Sequence, residues 1–257
     1  MNSFEQTILT KAGHDNGWEV VVSSDETKVI LASSVHPGQA IITMNSGLSE
    51  KYQLELTENI EKSELRRDLP PEIFKADGSI RVWDESVLGL VLRRAAELLI
   101  SLPEQPLADF QNELENALSN NPEIKGTEKE RLVKQRIGQD VFRRALLRYW
   151  KGCCAVSTIS LPELLRASHI KPWAECANDS ERLNVYNGFL LSANLDALFD
   201  SGLISFDNTG KIIISKTIPE SEYKIIGINK DTRLRWIDEK HFPFLAWHRE
   251  RVFGGKE

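Results

Sequence analysis

Apolar and polar positions alternate through residues 18–57 in four short runs, WEVVVSS, KVILASS, QAIITMN and YQLELT, each rich in β-branched side chains. The turn-forming segments DET, HPG and NSGLSE separate them, and a period of two punctuated in this way predicts an antiparallel β module. The paired prolines and the glycine of LRRDLPPEIFKADGS then break the alternation and mark a boundary.

From Asp84, a suitable N-cap, the period lengthens to that of a helix through ESVLGLVLRRAAELLISL, which ends before Pro103. ADFQNELENALSNNPEIKG is polar and reads as a further helix or as a tether. TEKERLVKQRIGQDVFRRALLRYWKG predicts a helix: Thr127 can cap it, Gly152 stops it, and Leu132, Val133, Ile137, Val141, Phe142, Ala145 and Leu146 fall on one face. Beyond it CCAVS and LLRASHI are strand-length, ERLNVYNG is a loop, FLLS a strand, and ANLDALFD a short helix ended by Ser201 and Gly202. GLISFDNTGKIIIS predicts a hairpin turning at residues 207–210, and KHFPFLAWHRERVF a final helix after Pro243. The expected class is therefore α+β, with a β-rich module over residues 1–78, a helical connector over 79–125 and a C-terminal domain over 126–257.

A chain of 257 residues, 41% hydrophobic and 27% charged, can bury a sizeable core. Its 32 basic against 38 acidic side chains exclude nucleic-acid binding by bulk positive charge, so any polyanion site has to be local. The opening MNSFEQTILTKAGHDNGWEV has no basic segment leading into a long apolar one. No later run approaches the roughly 18 apolar residues of a membrane span, and a cytoplasmic location is the expectation. Cys153, Cys154 and Cys176 are odd in number and contain no C-x-x-C pair, which argues against a disulfide framework and a thiolate zinc site.

Candidate chemistry gathers in the C-terminal part. His169 ends a predicted strand in ASHIKPW, Asn187 lies in a loop, and Asp196 and Asp200 stand four apart on a short helix, where their Cβ atoms are about 5–6 Å apart. Like charges at that distance repel. Either one carboxylate caps or pairs with a nearby base while the other is solvated, or a divalent cation cancels the repulsion, carboxylates being hard ligands suited to magnesium or manganese.

RYWKGCCAVSTISLPELLRASHIKPW and the later NVYNGFLLSANLDALFDSGLISF together resemble the HNH endonucleases, the ββα-metal nucleases, in the subfamily with A-H-I-x-P-W, N-G-x-L-L-S and F-D-x-G motifs. The resemblance spans about residues 127–253, the closing FLAWHRERVF included. It implies that residues 126–257 form a nuclease domain that hydrolyses DNA to leave a 5′-phosphate. His169 is then the general base and Asn187 the residue that orients it, with Asp196 and Asp200 as ligands of one divalent metal, magnesium or manganese. A neutral imidazole with a pKa near 6.5 suits the base role at physiological pH. Ser168 occupies the position where many members carry a His or Asp ligand, so the metal would draw more of its coordination from water or substrate phosphate. Cys153 and Cys154 fall where zinc-stabilised members place their first C-x-x-C, but Ser192 and Leu195 replace the second half, so no structural zinc is expected.

Arg166, Lys171 and Lys151 flank these residues, the helix from Thr127 adds Arg144 and Arg148, and the tail adds His248 and Arg249. All seven are candidate contacts to the backbone of a duplex DNA partner; Arg166, Lys171 and Lys151 read equally as solvated surface bases, charged helix faces such as that of Arg144 and Arg148 are usually solvated surface, and for His248 and Arg249 an exposed helix is the favoured reading. A double-strand cut by a one-site enzyme requires either a homodimer or two sequential nicks. The β-rich module is assigned target recognition by its place in the architecture, as in a restriction-type defence enzyme, because phosphate contacts alone carry no sequence information. One rival is an antibacterial nuclease toxin, which the acidic front half and the lack of a visible export region disfavour. The other is a non-catalytic nucleic-acid-binding module, which has no need of a carboxylate pair on one helical turn.

Overall fold

In the computed structural model, which describes every residue except 46–48, 59, 61 and 254–257, the four alternating runs form consecutive strands. These are β1 (Val20–Ser24), β2 (Lys28–Ala32), β3 (Gln39–Met44) and β4 (Tyr52–Leu56), and a fifth, β5 (Ile80–Val82), completes an antiparallel sheet in chain order. Alternate residues of β2 to β5 are buried: Val29, Leu31, Ala40, Ile42, Tyr52, Leu54, Ile80 and Val82. Strand β1, at the sheet edge, buries none of its five.

Ahead of the sheet lies a helix that the sequence reading does not assign, α1 (Ser3–His14). Asn2 and Glu5 cap it reciprocally, and its contact with β2 requires Gly13, where a Cβ would lie 2.2 Å from Leu31 Cδ1. Helix α2 (Lys62–Arg66) and a 3-10 turn at Pro71–Ile73 occupy the stretch that breaks the alternation. They turn the chain back so that β5 adds to β4. Asp84 accepts the Val87 N–H at the start of α3 (Glu85–Ser101), and Trp18 Nε1 donates to the Leu92 carbonyl at 2.9 Å, tying α3 to the entry of β1. Residues Met1–Ile100 form one unit and Ser101–Glu257 a second.

In the second unit the polar stretch is a helix, α4 (Glu104–Asn120), packed against α5 (Glu128–Tyr149). Thr127 caps α5 as expected. Its buried seam is Gly138, Val141, Phe142, Ala145, Leu146 and Tyr149. Leu132, expected on that face, is 58% exposed, and Val133 and Ile137 are half-buried. CCAVS is not a strand: Cys154 Sγ accepts the N–H groups of Val156, Ser157 and Ser192 at 3.3–3.4 Å, so a turn around the sulfur replaces a ladder.

Strands β6 (Leu165–His169) and β7 (Gly188–Ser192) pair antiparallel from Leu165 opposite Ser192 to His169 opposite Gly188. Helix α6 (Asp179–Arg182) lies in the loop joining them, and β7 runs directly into α7 (Ala193–Asp200). The predicted hairpin forms as β8 (Ile204–Phe206) and β9 (Ile212–Ile214), with Gly210 at φ +76°. Helix α8 (Glu220–Ile226) precedes α9 (Phe242–His248), whose end widens into a π-turn at Arg249–Phe253. The class is α+β, and among the described residues no helix is long and apolar enough to cross a membrane.

Gly188 is the tightest point of the β6–β7 pair, since a Cβ there would lie 2.4 Å from Phe142 Cζ and 3.1 Å from the Ser168 carbonyl. Gly188→Ala is expected to destabilise the protein by about 1–3 kcal/mol, the usual cost of overpacking, read as a lowered midpoint in urea unfolding.

Candidate active site

The end of β6 and the end of α7 meet at a cleft of about 360 Å³ lined by Ser168, His169, Trp173, Asp200, His248 and neighbouring apolar atoms. His169 is placed there by strand register and oriented by three contacts. Its ring stacks on Phe142 at 3.8 Å, meets Trp173 edge-on at 5.8 Å, and hydrogen-bonds through Nε2 to the Arg182 carbonyl at 2.8 Å. A carbonyl can only accept, so Nε2 carries the proton and Nδ1 keeps its lone pair. Burial lowers the imidazole pKa from 6.5 to about 4, against the opposing effect of the Arg182 carbonyl. The ring is neutral throughout the physiological range.

Asn187 is fully buried and does not line the cleft. Its Oδ1 accepts the Lys171 N–H at 2.8 Å, while Nδ2 faces the carbonyls of Lys171 and Glu181 at 3.2 Å and the Cys176 sulfur at 3.3 Å. One side chain thus joins the start of the loop at Lys171 to Glu181, the residue before Arg182.

Asp196 and Asp200 lie one turn apart on α7. Loss of hydration raises both pKa values; for Asp200 the neighbouring Asp196 adds to it, and the result is about 6. Ser168 Oγ donates to Asp200 at 3.3 Å and opposes the shift at both carboxyls, and Arg166 adds a smaller opposing charge at Asp196. The chain thus assembles two carboxylates with little compensation of its own, which suits a divalent cation. Among the described residues no group of three or more His, Cys, Asp or Glu side chains is placed to hold a metal. An ion there would keep several water or phosphate ligands, as magnesium commonly does.

The seven candidate DNA contacts separate on inspection. Arg166 is exposed beside the acidic pair, with its guanidinium on the Glu163 and Leu165 carbonyls. Lys171 pairs with Glu181 at 2.8 Å and Arg144 with Glu113, so both are engaged within the unit. Lys151 is exposed at φ +57°, and Arg148 is half-buried on α5. Arg249 donates to the Phe206 carbonyl and Asn208. His248 does not stand on an exposed helix: it is 1% exposed, with both ring nitrogens bonded inside the protein. Sequence reasoning passed over the Arg182 carbonyl and the Phe142 ring, and no sequence signal marks a backbone acceptor.

Residues 154–207 match the sequence model of the HNH endonuclease family, covering β6, the loop, β7, α7 and β8. The C-terminal unit therefore carries an HNH endonuclease domain, which implies a nucleic-acid substrate. Among curated proteins none matches the chain.

Because the unfolded chain binds a proton at His169 more readily than the native one, acidification from about 6.5 towards 4 withdraws stability at this position. A histidine NMR titration of the native protein is expected to place the His169 Cε1 proton midpoint near pH 4; a midpoint at 6.5 would contradict the half-buried, neutral ring.

Proposed function

We propose that the protein is a metal-dependent DNA endonuclease that hydrolyses phosphodiester bonds and leaves 5′-phosphate ends. The observation that carries this reading is the tautomer of His169: with Nε2 held by the Arg182 carbonyl, Nδ1 is the nitrogen able to take a proton from water. The imidazole is a weak base in the free protein, and an incoming phosphate's negative charge raises its basicity when substrate is present. As the imidazolium forms, the Arg182 carbonyl dipole strengthens its hold on Nε2–H and stabilises the new charge. Asn187 holds the neighbouring Glu181 carbonyl, and Trp173 and Phe142 limit the ring's motion.

Asp196 and Asp200 would hold the cation. A bound magnesium or manganese ion supplies positive charge against a non-bridging phosphate oxygen and the departing 3′-oxygen. Arg166, beside the pair, offers a contact to an adjacent phosphate.

Charge supports a division of labour. Residues 1–100 carry 16 acidic and 10 basic side chains, whereas residues 101–257 carry 22 of each. The nuclease unit is electrically neutral, and the chain's excess negative charge lies wholly in the N-terminal unit. We assign that unit the selection of a target, in a restriction-type defence enzyme acting on duplex DNA in the cytoplasm. With this charge balance it would read DNA by specific groups rather than bulk attraction. A double-strand break then comes from a homodimer or from two nicks.

The test is cleavage of supercoiled plasmid, and of modified and unmodified phage DNA, with magnesium and with manganese. Nicking is expected to require the metal and to fall by about 10²–10⁴-fold in His169→Ala. A preference among the DNAs is expected from the N-terminal unit. Metal-independent cleavage, or cleavage undiminished in His169→Ala, would refute the assignment.

A further inference from the structure

His248 lies nearly eighty residues from His169 in sequence, yet both line the same cleft. Its ring lies parallel to Phe199 at 3.9 Å and 2°, almost fully excluded from solvent. Nε2 is 3.1 Å from the Phe199 carbonyl and Nδ1 is 3.0 Å from Ser205 Oγ. Because the carbonyl only accepts, Nε2 donates to it and Nδ1 accepts from the serine hydroxyl. With both nitrogens engaged, the ring is not available to a phosphate or a metal. It acts on the peptide it holds, and the residue after Phe199 is Asp200.

The last carbonyls of a helix lack intrahelical donors, and short helices fray there. On α7 the Phe199 carbonyl takes the Gly202 N–H at 2.9 Å and the His248 Nε2–H. The π-turn that follows α9 holds His248 in position: Arg249 donates to the Phe206 carbonyl at 2.8 Å, and at Gly202, φ +67°, a Cβ would lie 2.4 Å from the Val252 carbonyl oxygen. The C-terminal segment is thereby locked against the end of the helix that carries the carboxylates.

We propose that His248 is a positioning residue for the cation site: its bond to the Phe199 carbonyl fixes the end of α7 and so the direction in which Asp200 faces the cleft. The inference rests on the nuclease reading above. It extends the ordering of the acidic pair from Ser168, which bonds Asp200, to an imidazole on the preceding carbonyl.

The test compares the native full-length protein with His248→Leu, His248→Gln and Ser205→Ala. Mn²⁺ affinity is measured by titration calorimetry in the absence of DNA, and cleavage at saturating DNA is measured in parallel. For His248→Leu the Mn²⁺ dissociation constant is expected to rise, and kcat to fall, by about tenfold or more, as is usual when a partner behind a ligand is lost. KM for DNA is expected to stay within about twofold, because the ring is almost fully excluded from solvent and both its nitrogens are bonded within the protein. Glutamine, whose amide nitrogen can reach the Phe199 carbonyl, is expected to restore most of both values. Ser205→Ala, which removes only the donor to Nδ1, should weaken Mn²⁺ binding in the same direction, and it decides the matter if the leucine variant does not fold. A folded His248→Leu or Ser205→Ala with native Mn²⁺ affinity overturns the proposal while leaving the nuclease reading intact. Wild-type protein that neither binds Mn²⁺ nor cuts DNA overturns both.

Discussion

The site depends on the amide of Asn187. Residues between β6 and β7 leave the sheet for a long excursion, and a loop of that length has no reason to return one particular carbonyl to one particular ring. Asn187 supplies that reason by bonding to the backbone at Lys171, where the loop departs, and at Glu181, beside the carbonyl that holds His169. It is fully buried, so a residue of similar size without the amide would leave several backbone groups unsatisfied, each costing about 1–3 kcal/mol. Strand register brings His169 to the cleft. The Arg182 carbonyl, next to the one Asn187 holds, decides which of the His169 nitrogens carries the proton.

Electrostatics follow from that enclosure. The imidazole of His169 is pushed down and the carboxyl of Asp200 pushed up, each towards its neutral form, because the surrounding protein hydrates charge poorly. Such a site is least comfortable when empty of counter-charge. A bound cation would relieve the carboxylates and a phosphate would favour protonation of the ring, so both would draw on the same unfavourable desolvation already built into the fold. The Ser168 hydroxyl moderates Asp200 without neutralising it.

Much of this arrangement is legible in the sequence, and what is not has physical causes. The β6–β7–α7 unit can be read because its strands are short apolar runs and its aspartates share a helical face. Helix α1 escapes because it buries only Leu9 and Gly13, too little to set a period. CCAVS has the composition of a strand, but the Cys154 sulfur gathers three N–H groups that a ladder would have used. Leu132 fits the helical pattern of α5, yet periodicity states which residues share a face and not how far along the helix a partner extends. His248, in a strongly amphipathic-looking tail, is drawn inward by Phe199 and Ser205, residues some forty positions away that no local pattern connects to it.

The distribution of charge bears on how the two units share the work. A nuclease unit with as many acidic as basic side chains, several of the latter already paired within it, gains little non-specific affinity from counterion release. Weak general affinity leaves productive contact with a nucleic acid to a second source of binding energy. An acidic N-terminal unit does not supply that energy indiscriminately either. On the reading proposed above, residence on a nucleic acid would therefore have to come from specific contacts rather than from bulk attraction.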